Sequence, residues 1–294
     1  MSEEIKNTAT TAAGYVYQNR QGLRLLCDWL DAPTRYTRVK FECDDEADAP
    51  KGLDDIVAER AGGLVDLEQV KYTPNPAVHA LSWEWMLEKS GRTAKSRSML
   101  RKWFDAFAVL DPARVGVISL KTNRRPDAEI EACLSGERID FAKVPEPRRS
   151  ALLAELGDEM KCEAFFSQLQ VLHSDKGFES LEHEVDARLH RHGTPEGIAN
   201  LKNVALNWAI RKNFPPPDGW ISLDQVRTIL RAAPPAPLPE DFFVPLGYEV
   251  PDETFHRDFV RDTAAGAGQA FVLTGPPGRG KSTYLPLRHK SSSR

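Results

Sequence analysis

This sequence predicts an α/β (α+β) fold, a small mixed sheet flanked by helices and followed by a helical region. Three observations carry that expectation. Residues 8–30 set Ala12, Tyr15, Asn19, Leu23, Leu26 and Leu30 at helical spacing. Two β-prone runs, Leu53–Arg60 and Leu64–Lys71, flank Ala61-Gly62-Gly63, the strongest hairpin signal in the chain. Val115-Gly-Val-Ile-Ser-Leu-Lys121 is a short apolar run of the kind that becomes a buried central strand.

Taken in order, the first helix ends at Asp31-Ala-Pro33. Residues 36–43 alternate as a strand, and a polar loop over 44–52 leads into the hairpin. Helices are expected over 82–89 and 95–110, where Met99, Trp103, Phe107 and Leu110 form a stripe that belongs to a core. Asn123-Arg124-Arg125 is a polar loop, open either to phosphate contact or to plain solvation, before a helix over 126–134. Helical spacing then fills 146–156, 158–172, 178–192 and 195–211. Thr194-Pro195-Glu196 supplies an N-cap with proline at the first helical position, and Ser222–Gln225 is a capping box opening a helix over 223–231. His183, His190 and His192 have no acid or cysteine grouping to complete a metal site and read as surface residues.

The hairpin carries the chemistry. Side chains alternate along a strand, so Val65, Leu67, Gln69 and Lys71 share one face, while Glu68 points to the other. Two registers are open. With a three-residue loop, Arg60 faces Leu64 and Asp55 faces Gln69. If only the two glycines turn, Asp54 faces Lys71, but Glu59 then opposes Asp66, and directly opposed like charges destabilise a sheet. The three-residue loop and Asp55 are favoured. A carboxylate, an amide oxygen and an ammonium then converge, which suits metal-assisted phosphodiester hydrolysis. The oxygens are hard ligands of the kind Mg2+ takes, and Lys71 can hold or deprotonate water and offset charge on the phosphate.

Composition bounds the rest. The chain has 294 residues, 41% hydrophobic and 28% charged, which describes a globular protein with room for about two domains. No apolar run approaches the roughly 20 residues of a membrane helix, and the polar start MSEEIKNTATTAAG lacks the apolar stretch of a secretion signal. We therefore expect a cytoplasmic protein with no membrane partner. Cys27, Cys43, Cys133 and Cys162 form no CxxC pair and read as reduced thiols. A net charge of −4 argues against a uniformly nucleic-acid-binding surface, yet the charge is uneven. Acids crowd residues 44–59, while 89–102 hold Lys89, Arg92, Lys95, Arg97, Arg101 and Lys102 with no acid. An acidic pocket beside a basic run suits a metal at the chemistry and cations along a nucleic-acid backbone, with Lys95, Arg97, Arg101 and Lys102 the expected DNA contacts.

Several separated pieces add a resemblance. They are Gly14-Tyr15-Val16-Tyr17-Gln18 in the first helix, Arg38-Val39-Lys40-Phe41-Glu42, Asp54-Asp55-Ile56, Gln69-Val70-Lys71 and Leu100-Arg101-Lys102-Trp103. Over about the first 145 residues the chain resembles the PD-(D/E)xK restriction-endonuclease-like superfamily in its QxK version. More narrowly, it resembles the double-stranded DNA endonuclease domains at the N-terminus of bacterial antiphage proteins. The resemblance implies a restriction-endonuclease-like core that cleaves double-stranded DNA with Mg2+ or Mn2+. It implies Glu42, Asp55 and Gln69 as the metal-side groups and Lys71 as the catalytic lysine. Gln69 stands where the better-known form has an acid, leaving one negative ligand fewer.

Residues 232–250 carry Pro234, Pro235, Pro237, Pro239 and Pro245 and read as a semi-rigid connector. Beyond it, Gln269–Thr274 reads as a strand running into Gly275-Pro-Pro-Gly-Arg-Gly280-Lys281-Ser282, a full GxxxxGK[ST] match in strand-then-loop context. Its backbone N–H groups would hold phosphate, Lys281 would reach the β- and γ-phosphates, and Ser282 would bind Mg2+. A nuclease domain, a helical segment and a P-loop in that order resemble the bacterial antiviral STAND NTPases of the Avs type. That resemblance implies ATP binding only in the full-length protein, a homo-oligomer, and triggering by a phage protein through further C-terminal regions. The expected division is 1–145 nuclease core, 146–231 helical region, 232–250 linker and 251–294 the start of a P-loop NTPase. Two other readings differ in class: a catalytically inactive DNA-binding module, left open by Gln69, and a regulatory ATP-binding protein whose N-terminal part only docks partners.

The P-loop should be idle in this 294-residue chain. Its anion site is a helix N-terminus, yet Pro286 would clash with the Ser282 carbonyl at a cost of ~3 kcal/mol, and residues 287–294 carry no apolar period. Calorimetry with ATP and Mg2+ should show no binding near the micromolar range; tight binding would prove this expectation wrong.

Overall fold

The architecture follows from one strand order. In a computed structural model that describes residues 7–43, 45–89, 96–211 and 214–231, seven strands form a mixed sheet in the order β1-β2-β3-β4-β7-β6-β5. Helix α1 (Asn7–Asp31) leads into β1 (Arg38–Phe41), β2 (Ile56–Glu59) and β3 (Val65–Lys71), an antiparallel meander. Helices α2 (Trp83–Leu87) and α3 (Met99–Ala108) cross to β4 (Val115–Thr122), which lies parallel to β3. Then come α4 (Ala128–Cys133), the short hairpin β5 (Leu134–Ser135) and β6 (Arg138–Ile139), α5 (Arg148–Leu156) and α6 (Glu159–Gln168). Strand β7 (Leu169–Leu172) pairs parallel to β4, and α7 (Phe178–Leu189), α8 (Pro195–Ile210) and α9 (Leu223–Leu230) close the described chain.

The α/β expectation is met, with a larger sheet than foreseen. The residues read as one helix over 158–172 divide into α6 and β7. Residues 146–231 therefore do not form a separate helical layer: β7 sits between β4 and β6, and Met1–Pro234 is one compact unit. The reason is burial. Leu169 and Val171 alternate into the core beneath α2 and α6, and the sheet would otherwise leave β4 as an open edge. The expected linker at 232–250 and the segment 251–294, with Gly275, Gly280, Lys281 and Ser282, lie outside the described residues.

Each sheet face has its own core. One packs Val57, Leu67, Ile118, Leu120 and Val171 against Trp83, Trp103 and Phe165; the other packs Val39, Ile56, Ala58 and Val70 against α1, α7, α8 and α9. Trp103 is buried and Met99, Phe107 and Leu110 pack around it, so the stripe of α3 is core. The caps form as their residues dictate. The Thr194 hydroxyl accepts from Gly197 N, and Ser222 and Gln225 complete both halves of the capping box. The four cysteines are free and buried, and His183 and His190 are exposed. His192 Nε2 lies 2.8 Å from Asp31 Oδ1, tying the end of α7 to α1. Among the described residues no helix is long and apolar enough to cross a membrane.

Two anchors fix the end of the sheet that matters later. Asn123 closes a pair of bonds on Thr73, accepting from its N–H (2.9 Å) and donating to its carbonyl (2.7 Å), which locks the exits of β3 and β4 together. This gives Asn123 a structural task, where the sequence left phosphate contact open. On the outer edge, Ile221 exchanges backbone bonds with Val39 at 2.7 and 3.0 Å. Behind it, α8 meets α9 so closely that a Cβ on Gly197 would lie 2.1 Å from the Leu230 carbonyl oxygen. Gly197→Ala gains at most about 1 kcal/mol of helix propensity, against about 1–3 kcal/mol for overpacking onto a backbone that cannot swing aside. Urea unfolding should show the variant destabilised by about 1–2 kcal/mol; a more stable variant would mean that α9 yields freely.

Candidate active site

The hairpin turn sets the site. Gly62 and Gly63 adopt φ of 91° and 83°, a region that costs glycine nothing, and Arg60 N donates to Leu64 O at 2.7 Å. The loop is the three-residue one. With Glu59 opposite Val65 and Ile56 opposite Glu68, the same register carries Asp55 to Gln69. Asp54 turns back into its own loop and accepts from Gly52 N at 3.0 Å. Glu68 projects from the opposite face, 2.7 Å from Lys121 Nζ.

At the hairpin's open end Asp55 is 8% exposed. Its Oδ2 accepts from Val70 N at 2.7 Å and from Gln69 Nε2, and lies 3.5 Å from Lys71 Nζ. Lys71 also donates to Val70 O at 3.0 Å, so its ammonium is held over the carboxylate. Glu42 arrives from β1: its N–H donates to Asp55 O at 2.9 Å, and its backbone turns left-handed at φ 46° as the strand ends. Such a conformation costs a non-glycine residue about 1–3 kcal/mol and recurs at functional sites. Glu42, Asp55, Gln69 and Lys71, all named by the sequence, are thus brought together.

The structure adds a fifth member: Gln18 donates through Nε2 to Glu42 Oε1. The signal lay in spacing: Tyr15, Gln18 and Asn19 stand at i, i+3 and i+4, one face of α1 turned toward β1.

Burial dominates the electrostatics. It pushes the Glu42 carboxyl up to about 8, with the nearby Asp55 and Asp54 charges adding to the shift and Lys71 opposing it. Burial raises Asp55 to about 6, against the pull of Lys71 and the Val70 N–H. Two acids so placed hold protons that a cation would displace. Gln69 adds a second sign: its Oε1 is buried with no hydrogen-bond partner in the protein. An acceptor left so costs about 1–3 kcal/mol. Two carboxylates and an unpaired amide oxygen fit a hard divalent cation. Among the described residues no group of three or more His, Cys, Asp or Glu side chains could hold a metal, so any site here depends on that amide.

The site opens on a groove of about 1,190 Å3 lined by the cations Lys51, Lys71, Arg97 and Lys102 and by the acids Glu46, Asp54, Asp55, Glu88 and Asp105. Arg97 is exposed and pairs with Asp105 at 2.6 Å. Arg101 is not brought to the groove. Its guanidinium is held by Asp105 (2.8 Å) and by the Glu155 carbonyl (2.7 Å) near the C-terminus of α5, where a cation is favoured. Lys95 lies outside the described residues. Compared with known proteins, the chain matches no family model and no curated protein.

The raised acids make a sign-definite expectation. The unfolded chain ionises them in the ordinary carboxylate range, whereas the folded chain keeps its protons up to about 6 and about 8. Their contribution to stability is full below the ordinary range and is lost as pH rises through those values. Glu42→Gln stays neutral, so it should lose less stability than the native chain between about pH 5 and about pH 9. At about 1.4 kcal/mol per pKa unit, discounted for partial exposure, the difference should reach about 1–3 kcal/mol. Urea melts in EDTA at both pH values measure it, and parallel losses in the two proteins would refute it.

Proposed function

We propose that this chain is a metal-dependent endonuclease that hydrolyses phosphodiester bonds of double-stranded DNA. The observation that carries the reading is the meeting of Glu42, Asp55, Gln69 and Lys71 at one end of β1–β3, with the Gln69 Oε1 buried and unpaired. Glu42, Asp55 and Gln69 would hold Mg2+ or Mn2+. Bound there, the ion would supply Lewis acidity toward the phosphate and make water a better nucleophile at neutral pH. The other parts belong to the protein. Gln18 orients Glu42, and the Val70 N–H orients Asp55, so neither carboxylate has to be arranged when substrate arrives. Lys71, fixed by its own neighbour's carbonyl, stands where it can position the water and offset charge on the pentacovalent transition state. Lys51, Arg97 and Lys102 would give the groove cations for the DNA backbone.

The wider role extends this proposal. The P-loop motif at Gly275–Ser282 and the resemblance to antiviral NTPases, both read from the sequence, support a nuclease effector of a bacterial antiphage NTPase. ATP, a homo-oligomer and a phage-protein trigger would then belong to the full-length protein.

Plasmid cleavage tests the core of the reading. It should require Mg2+ or Mn2+, fall at least about 100-fold in Lys71→Ala and in Asp55→Asn, and fall far less in Asp54→Asn. Cleavage that persists in EDTA or in the Lys71 variant would sink it. A separate measurement concerns the groove. Neutralising Arg97 and Lys102 together should weaken binding to all sequences alike and lower the salt slope by about 1–2, whereas Arg101→Gln should leave that slope unchanged. An altered sequence preference would contradict backbone contact.

A further inference from the structure

A second, smaller cleft opens beside Glu42 and Asp55, between α1 and the C-terminal end of α8. Its volume is about 320 Å3, and both acids lie on its wall. Tyr15, Leu206 and Ile210, at 58%, 40% and 63% exposure, are large side chains turned to solvent, and what marks them is that they gather in one place. All three line this one cleft. Tyr15 also lines the large groove, so its ring stands where the two openings join. Among these apolar walls lies one polar residue with capacity to spare. Asn19 is 6% exposed, its Oδ1 accepts from Arg20, and its buried Nδ2 has no partner.

We propose that this cleft is a nucleobase subsite, which takes one base unstacked from the DNA next to the scissile phosphate. The proposal rests on the nuclease reading and gives that site a further substrate contact. Apolar walls with one or two placed polar groups, in a volume of about 300 Å3 or more, are what a small planar ligand requires. A base offers two π-faces to the Tyr15 ring and the aliphatic walls. Its edge carries carbonyl or ring-nitrogen acceptors for the Asn19 amide. Position selects a base over another apolar guest. The cleft is continuous with the carboxylates proposed to hold the metal, so a nucleotide whose phosphate lies at Lys71 has its base within reach of Tyr15. Unstacking costs least where a base is already unpaired, and selectivity follows from that.

The test uses the full chain, Ca2+ in place of Mg2+, and two labelled duplexes of equal length, one fully matched and one carrying a single bulged 2-aminopurine. The bulged duplex should bind about tenfold more tightly, with quenching of the 2-aminopurine as it stacks. Ile210→Asp and Tyr15→Ala, both at exposed positions, should each abolish that preference, and Ile210→Asp, which lies outside the large groove, should leave affinity for the matched duplex within about twofold. Asn19→Ala should reduce it in part. Equal binding of the two duplexes, a preference that survives in the Tyr15→Ala, Ile210→Asp double variant, or no DNA binding at all would each overturn the proposal. Cleavage of the matched duplex in Mg2+, run alongside, separates the two ideas. Cleavage without a bulge preference removes the subsite and keeps the nuclease, whereas a preference without cleavage in any divalent ion removes the nuclease and keeps the pocket.

Discussion

Register is the constraint on which the rest of this structure depends. The β2–β3 hairpin closes through the Arg60 N–H to Leu64 carbonyl bond, and the two glycines beyond it take backbone angles that other residues avoid. Because side chains alternate with period two, moving the pairing by one residue would exchange every inward group for an outward one. Val57 and Leu67 would leave one core, and Ile56 and Ala58 the other. Asp55 would leave Gln69, and Asp54 would face Lys71. The two apolar cores and the polar site are therefore specified by the same turn. The hydrophobic effect enforces a geometry that the charged groups could not hold alone, since their own attraction at the site is offset by desolvation.

That enforcement is needed because the site opposes the fold locally. Glu42 sits in a left-handed conformation, Asp55 is a buried carboxylate, and the amide oxygen of Gln69 lacks a partner. Each of these costs of order 1–3 kcal/mol in an isolated chain. They persist because the surroundings over-determine them. The β1 edge is pinned through Val39 and Ile221, the exits of β3 and β4 are locked through Asn123, and Gln18 reaches across from α1. A cation would relieve two of the three costs together, by replacing the protons on the acids and by taking the free lone pair of the amide.

How much of this could be read from the sequence depended on the range over which each feature is decided. The hairpin, its register and the meeting of Asp55, Gln69 and Lys71 follow from alternation, a glycine turn and the repulsion of Glu59 by Asp66, all within some twenty residues, whereas Glu42 was named only through the family resemblance. The caps at Thr194 and Ser222 are local in the same way. Strand β7 was hidden because Leu169–Leu172 continues the apolar spacing of α6. Only the vacancy beside β4, a contact between distant parts of the chain, decides for strand. The hairpin of β5 and β6 is two residues on each side, too short to show any period. Gln18 lies off the apolar stripe of the first helix, and its value lies in the Glu42 carboxylate that β1 brings up against it. Arg101 looked like a free cation because α5, fifty residues on, was not visible as its partner.

The same contrast bears on the proposed DNA contact in a chain of net charge −4. Counting charges treats every cation as equivalent, but folding divides them. Arg101 is bound to Asp105 and a helix-terminal carbonyl, and Lys121 is buried against Glu68; neither can follow a phosphate without leaving a buried acid or carbonyl unpaired. Arg97 pairs with the half-buried Asp105 too, yet its own side chain lies toward solvent, where an ion pair is worth little and exchanges readily for phosphate. Lys51, Arg97 and Lys102 stand on the same opening as Lys71, and that placement sets which cations the groove presents. Screening cuts off exposed charges beyond roughly 8–10 Å at physiological salt, so the acids that bear on a strand lying there are those of the groove itself, Glu46, Glu88 and Asp105 beside the site carboxylates. Local arrangement, rather than the total, governs what this surface can attract.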